Sequence, residues 1–128
     1  MKPDFEKATQ KAKELREAGA DCPLQILKSL QNVSAVSFAD ASAKYGIDRE
    51  DLICMFDDGN RDAVTMHNCG RYLVIYNQKL PCEVVRRAVA RELGHIVMGH
   101  DGSRPEDVRM AEANRFADVF LSIDNERS

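Results

Sequence analysis

Residues 91–95, Arg91-Glu92-Leu93-Gly94-His95, form the stretch that decides how the rest of the chain is interpreted. They fall within a long predicted helix. Residues four apart in an α-helix lie on one face, one turn above the other, so the side chains of Arg91 and His95 project side by side. With Glu92 between them, a guanidinium, a carboxylate and an imidazole are predicted to lie within about one helical turn.

The spacing is that of the helix motif His-Glu-x-x-His, with an arginine in place of the first histidine. Two imidazoles so spaced bind one Zn²⁺ from the same side, and the glutamate between them accepts a proton from metal-bound water. A glutamate on the following helix commonly supplies a third ligand. We therefore predict Glu92 as the general base, and His95 and Glu112 as two metal ligands.

Arg91 stands where the remaining ligand would be. Its guanidinium stays protonated and has only donors, so it cannot bind a metal. We expect it to replace the charge of the metal by reaching Glu112, and Glu92 as well, because a planar guanidinium suits a carboxylate. His100 is an alternative ligand, but it lies about 140° around the helix from His95, so the helix would have to unwind there.

The cysteines offer a weaker alternative. Their spacing contains no Cys-x-x-Cys pair, so a structural zinc site is not predicted, and free thiols that are mostly buried or half-buried are expected. Cys69 or Cys82 would replace the missing histidine only if its loop approached His95. The four are Cys22, Cys54, Cys69 and Cys82.

Composition limits the class of protein. The 128 residues are 44% hydrophobic and 30% charged, as in an ordinary soluble protein, and predict a single domain over residues 1–128. A net charge of −3 gives no electrostatic surface for direct nucleic-acid binding. No apolar run is long enough to span a membrane, and the amino terminus lacks the apolar segment of a secretory signal. We therefore expect a cytoplasmic protein with no membrane partner.

Hydrophobic periodicity predicts an α+β fold in which a small antiparallel sheet packs on helices, including the helix of residues 91–95. Helices are predicted over 3–18, after Pro23, over 39–45 up to Gly46, from Asp48 through Met55, from Pro81 to about Gly99, and from Pro105 towards a polar tail. Strands are predicted over 33–38, 63–67 and 71–77, the last two joined by a tight turn at Asn68-Cys69-Gly70.

Three segments carry a resemblance to a known family. They are Tyr72-Leu73-Val74-Ile75-Tyr76-Asn77, the stretch from Arg86 to His95 with Gly99-His100, and Glu112-Ala113-Asn114-Arg115-Phe116-Ala117. Together they resemble the ImmA/IrrE family of zinc metallopeptidases, which are bacterial and phage-borne. The resemblance covers most of the chain and departs from the family pattern at Arg91.

The resemblance implies a zincin-like fold, a zinc cofactor, and a helix-turn-helix repressor of a mobile element as protein substrate. It matches Glu92 to the general base, and His95 and Glu112 to zinc ligands. Because Arg91 removes a ligand, we expect a catalytically impaired homologue that binds a protein partner, with zinc present only if the site is functional. An active zinc endopeptidase is the alternative. A partner is expected to add as an extended strand along Tyr72–Tyr76.

A third reading is a DNA-binding regulator. Residues 41–52 have the rhythm of a helix-turn-helix motif. The second helix of that motif would carry Asp48, Glu50 and Asp51, which would meet phosphate unfavourably. Two short structural helices are therefore the preferred interpretation of this segment.

Overall fold

The protein is a combination of helices and a three-stranded sheet. The structure, a computed structural model, describes residues 1–48, 50–51, 62–100 and 104–127, without the side chains of Asn68 and of 123–127. The predicted α+β class is confirmed. In chain order the elements are α1 (Phe5–Glu17), α2 (Pro23–Ser29), β1 (Val33–Ser37), α3 (Phe38–Tyr45), β2 (Ala63–Asn68), β3 (Arg71–Tyr76), α4 (Cys82–Val97) and α5 (Glu106–Arg127).

The chain divides into two compact units, whereas a single domain over residues 1–128 stays a prediction. One unit is Leu24–Val89, and the other combines Met1–Pro23 with Ala90–Ser128. The first contains the sheet, and the second contains α1, the last part of α4 and α5. Within the described ranges, no helix combines the length and the apolar character needed to cross a membrane.

In the unit formed by the two ends of the chain, α1 packs against α5. Ala8 and Ala12 on α1 are fully buried, and so are Phe116 and Phe120 on α5. The rings of the two phenylalanines stack with centroids 5.7 Å apart. Arg16 is buried too, with its guanidinium carbon 5.2 Å from the ring centroid of Phe120. A desolvated cation over an aromatic face adds a favourable contact to this core.

The sheet is mixed, so the prediction of an antiparallel sheet is wrong for one of its strands. The strand order is β1-β3-β2. β2 and β3 form an antiparallel hairpin, as predicted, but β1 runs parallel to β3. Parallel pairing requires a connection that returns the chain to the same end of the sheet. The long stretch from α3 through β2 provides this connection.

β3 is the middle strand, and this overturns the expectation that a partner adds along Tyr72–Tyr76. Residues 72–76 pair with 33–37 of β1 on one edge, and with 63–67 of β2 on the other. Both rows of backbone hydrogen-bonding groups on β3 are therefore engaged within the sheet. Val74 and Ile75 are fully buried, and Ile75 forms a core cluster with Ala41 and Val64.

The junction between β1 and α3 shows how a local cap overrides a strand pattern. Phe38, predicted as the end of the strand, is the first residue of α3. The Ser37 hydroxyl accepts a hydrogen bond from the amide of Asp40 at 3.1 Å, which caps the helix at this point. Gly46 ends the helix with φ 63°, as predicted.

The helix predicted from Asp48 through Met55 lies only partly within the described residues. Asp48 accepts from the amide of Glu50 at 2.8 Å, as a capping residue does. Residues 52–55 of the predicted helix lie outside the described residues, and so does most of the second helix of the helix-turn-helix reading. α5 continues to Arg127, where a polar tail was predicted.

The turn between β2 and β3 has a backbone conformation that its sequence does not favour. Cys69 has φ 53° and Gly70 has φ 76°, so both central residues are left-handed. Such a turn follows the twist of the strands that it joins, but it favours Asn-Gly rather than Cys-Gly. Cys69 is exposed at this position.

We expect Cys69→Asn to raise the free energy of unfolding by about 0.5–1 kcal/mol, because asparagine tolerates the left-handed region better than cysteine does. Cys69→Val is the matched control and should lower it, since a β-branched residue is disfavoured there. Urea unfolding under reducing conditions measures both. Equal stabilities for the two variants would contradict the role given to the turn.

Candidate functional site

The predicted site residues meet in the unit formed by the two ends of the chain. α4 carries Arg91, Glu92 and His95, and α5 carries Glu112. The helix predicted from Pro81 to about Gly99 is observed from Cys82 to Val97. Glu92 is 5% exposed and Glu112 is fully buried, so both carboxylates require partners within the protein.

Glu112 is the most connected of these side chains. Its Oε2 accepts hydrogen bonds from the backbone amide of Asp4 at 2.9 Å and from Nη2 of Arg104 at 3.0 Å. Its Oε1 lies 3.1 Å from Nε2 of His100. Glu112 therefore joins the start of α1, the residues just before α5, and the residues just after α4.

His100 reaches this site because α4 ends before it. Gly99 has φ 68°, its amide donates to the carbonyl of Ile96 at 3.0 Å, and the amide of His100 donates to the carbonyl of His95 at 2.9 Å. This is the Schellman arrangement, in which a left-handed glycine folds the next residue back over the last helical turn. The expectation that His100 would point away from His95 is therefore wrong.

The two histidine rings touch. Nδ1 of His95 lies 2.8 Å from Nδ1 of His100, and Nε2 of His100 lies on Glu112. If both rings are neutral, the contacts determine the tautomers. His100 donates from Nε2 to the carboxylate and accepts at Nδ1, so His95 donates from Nδ1 and keeps its lone pair on Nε2.

Both rings are held neutral by their surroundings. Burial, followed by the charges of His100, Arg91 and Arg109, lowers the pKa of His95 to about 3. Burial also lowers the pKa of His100, helped by Arg104 and Arg109 and opposed by its contact with Glu112. Arg109 thus acts on both imidazoles.

Arg91 reaches Glu92, as predicted, whereas the predicted contact of Arg91 with Glu112 is wrong. Its Nη2 donates to Oε1 of Glu92 at 3.2 Å. The guanidinium that reaches Glu112 belongs to Arg104. The two carboxylates of the predicted metal site are therefore each paired with a separate arginine.

The arrangement does not fit a zinc ion. Two nitrogens bound to tetrahedral zinc lie roughly 3.3 Å apart, given Zn–N distances of about 2.0–2.1 Å, whereas the His95 and His100 nitrogens are at hydrogen-bonding distance. Both oxygens of Glu112 already accept hydrogen bonds. Within the described part of the chain, no three His, Cys, Asp or Glu side chains are grouped to hold a metal ion.

The solvent exposure of the cysteines differs from the prediction. Cys69 and Cys82 are exposed and Cys22 is half-buried. The prediction of mostly buried thiols is wrong for the two exposed residues. Cys54 lies outside the described residues.

Sequence reasoning missed three contributors to the site. Gly99 was a usable signal. A left-handed glycine that ends a helix brings the residue after the glycine, here His100, back to the residue four positions before the glycine, here His95. Helical periodicity could also have identified Arg109, which lies three residues before Glu112 on the same helix. Arg104 precedes α5, so no helical spacing connects it with Glu112.

Gly94 controls the contact between α4 and α5 beside the site. A Cβ at this position would lie 3.1 Å from three atoms of the Phe116 side chain, which is fully buried. Helical glycine-to-alanine changes usually stabilise by about 1 kcal/mol. Here we expect Gly94→Ala to destabilise by about 1–2 kcal/mol, because the core is already full.

Chemical denaturation of Gly94→Ala alone and combined with Phe116→Leu measures this. The smaller leucine should reduce the cost of the added methyl group, and the difference is the coupling between the two positions. A stabilised single variant would show that Phe116 moves away without cost.

The histidines predict acid sensitivity. The pKa of His95 is lowered from 6.5 to about 3 on folding, so the unfolded chain binds more protons between these values. The free energy of unfolding therefore falls as pH decreases below 6.5 and is fully retained above it, with a loss of up to about 2 kcal/mol by pH 5. Urea unfolding at pH 7 and pH 5 measures the loss, and His95→Gln should make it smaller. An unchanged loss in that variant would assign the pH dependence to other groups.

Comparison of the chain with protein-family models, with curated proteins and with solved structures returned no match in any of the three. The resemblance to the ImmA/IrrE family therefore rests on the residues of β3, α4 and α5 alone. Membership of that family, and the zincin-like fold, stay predictions.

Proposed function

We propose that the protein is a metallopeptidase-like protein of the ImmA/IrrE type that has lost zinc-dependent catalysis and acts in the cytoplasm by binding a protein partner. The first candidate for the partner is a helix-turn-helix repressor of a prophage or other mobile element. Such a protein binds its partner and releases it uncut.

The observation that carries this proposal is the hydrogen bonding of Glu112. Both of its oxygens accept from donors of the protein itself, two on Oε2 and one on Oε1. A zinc ion would have to displace Arg104 or His100 from a carboxylate that is fully buried. Losing either contact leaves a donor or a charge without its partner, which is unfavourable in the interior.

Arg91 also supports the proposed loss of zinc-dependent catalysis. A guanidinium offers no lone pair, and it remains charged at every ordinary pH. Its contact with Glu92 also occupies the carboxylate that would act as general base. The predicted base and one predicted ligand are therefore both engaged by arginines.

An active zinc endopeptidase is the second candidate, because three side chains with metal-binding atoms are in contact. His95 touches His100, and His100 touches Glu112. His100 would bring the number of protein ligands to the three that catalytic zinc sites have. This candidate requires the hydrogen bonds among the three to open.

The zinc content of the purified protein distinguishes the two candidates. After dialysis against trace zinc, we expect far less than one zinc per chain in the wild type. Arg91→His should raise zinc affinity at least tenfold, because it adds a ligand and removes a cation. Adding Arg104→Gln should raise it further by releasing Glu112. The matched control is Arg115→His on the exposed surface of α5, which should leave zinc affinity unchanged.

Elemental analysis measures the metal, and far-ultraviolet circular dichroism checks that each variant is folded. Stoichiometric zinc in the wild type, lost in His95→Ala and in Glu112→Ala, would favour the endopeptidase. Partner binding is tested separately. A helix-turn-helix repressor of a mobile element should bind the protein and remain intact by mass spectrometry, and a repressor cut by the wild type would contradict the proposal.

A further inference from the structure

The charges around the histidines do not balance. The site contains three arginines, Arg91, Arg104 and Arg109, which we call the arginine cluster. Arg91 pairs with Glu92 and Arg104 pairs with Glu112. Arg109 is the third cation, and it lies three residues before Glu112 on the same face of α5. Even with both histidines neutral, the described side chains of the site carry one positive charge more than negative charge, from three arginines and two glutamates.

Donor groups in the cluster also lack acceptors. The Nε atoms of Arg104 and Arg109 are buried, and within the described part of the chain neither meets a hydrogen-bond acceptor. Buried polar atoms in native proteins nearly always have a partner, which can be an ion or an ordered water. Two such donors beside an excess of positive charge indicate a negatively charged ligand rather than a cation.

Solvent reaches the cluster. The side chain of Arg104 is 31% exposed and that of Arg91 is 19% exposed, whereas Glu112, which Arg104 contacts, is fully buried. A small ligand can therefore approach from the side of Arg104 without opening the core between α1 and α5. A long polyanion is disfavoured, because the chain as a whole carries a net charge of −3.

We propose that the arginine cluster binds a small oxyanion, a carboxylate or a phosphate group, through the guanidinium groups of Arg104 and Arg109. A guanidinium presents parallel N–H donors that match two oxygens of either group. The ligand of the site thus has the opposite charge to the metal that the family resemblance implies. The inference rests on the proposed function in one respect, the absence of resident zinc.

The test is a titration of zinc-free protein, treated with EDTA, followed by the histidine ring signals in NMR spectra. Inorganic phosphate and acetate are added in separate series, and sodium chloride keeps the ionic strength constant. We expect saturable shifts of the His100 and His95 signals with at least one of the two, and none with chloride alone. The series that saturates at the lower concentration identifies the preferred oxyanion.

Variants connect the binding to the cluster. Arg109→Gln should weaken binding at least tenfold, because it removes both the positive charge and the parallel N–H donors of the guanidinium. Arg109→Lys, which keeps the charge, should weaken it at least threefold and serves if the glutamine variant does not fold. The matched control is Arg115→Gln on the same helix, whose guanidinium carbon lies 4.6 Å from the ring centroid of Phe5. It should bind like the wild type.

The outcomes separate this inference from the proposed function. Saturable binding in EDTA, weakened in the Arg109 variants only, supports the oxyanion site. No response beyond that to chloride, or equal affinity in the Arg109 variants, overturns it and leaves the proposed loss of zinc intact. Binding that appears only after zinc is added would assign the anion to the metal, and would overturn both the oxyanion site and the proposed function.

Discussion

The buried carboxylate of Glu112 is the interaction on which the unit formed by the two chain ends depends. A carboxylate removed from water has to be fully hydrogen-bonded and neutralised, or the fold loses stability. Its three donors come from separate parts of the chain: the amide before α1, an arginine before α5 and a histidine after α4. The contacts that assemble this unit therefore also determine what chemistry its centre can perform.

Glu92 and Glu112 have little or no solvent exposure, so their charges need positive charge beside them. In this protein the compensation is divided, with Arg91 on Glu92 and Arg104 on Glu112. The sequence interpretation assigned both carboxylates to Arg91, and it did not consider that a residue outside the motif would supply the second cation.

Local patterns predicted the elements well, but they did not predict how the elements meet. Helical spacing located α1 and α4 to within a few residues, and the Cys69-Gly70 turn follows from its position between two β-prone runs. The parallel pairing of β1 depends on a long connection whose path no local pattern records. The contact between His95 and His100 depends on one left-handed glycine, and helical geometry continued past Val97 gives the wrong direction.

The cap at Gly99 and the pair of Arg104 with Glu112 bear on how the site can evolve. Codons for arginine and histidine can differ by a single base, so the motif at Arg91 is mutationally close to the intact metal-binding form. A histidine at that position alone would nevertheless meet a His95 that is hydrogen-bonded to His100, and a Glu112 whose carboxylate is already paired with Arg104. Changes that are mutually dependent do not contribute independently. A histidine at position 91 alone would therefore create less of a metal site than the motif suggests, because contacts from outside the motif already engage the other candidate ligands.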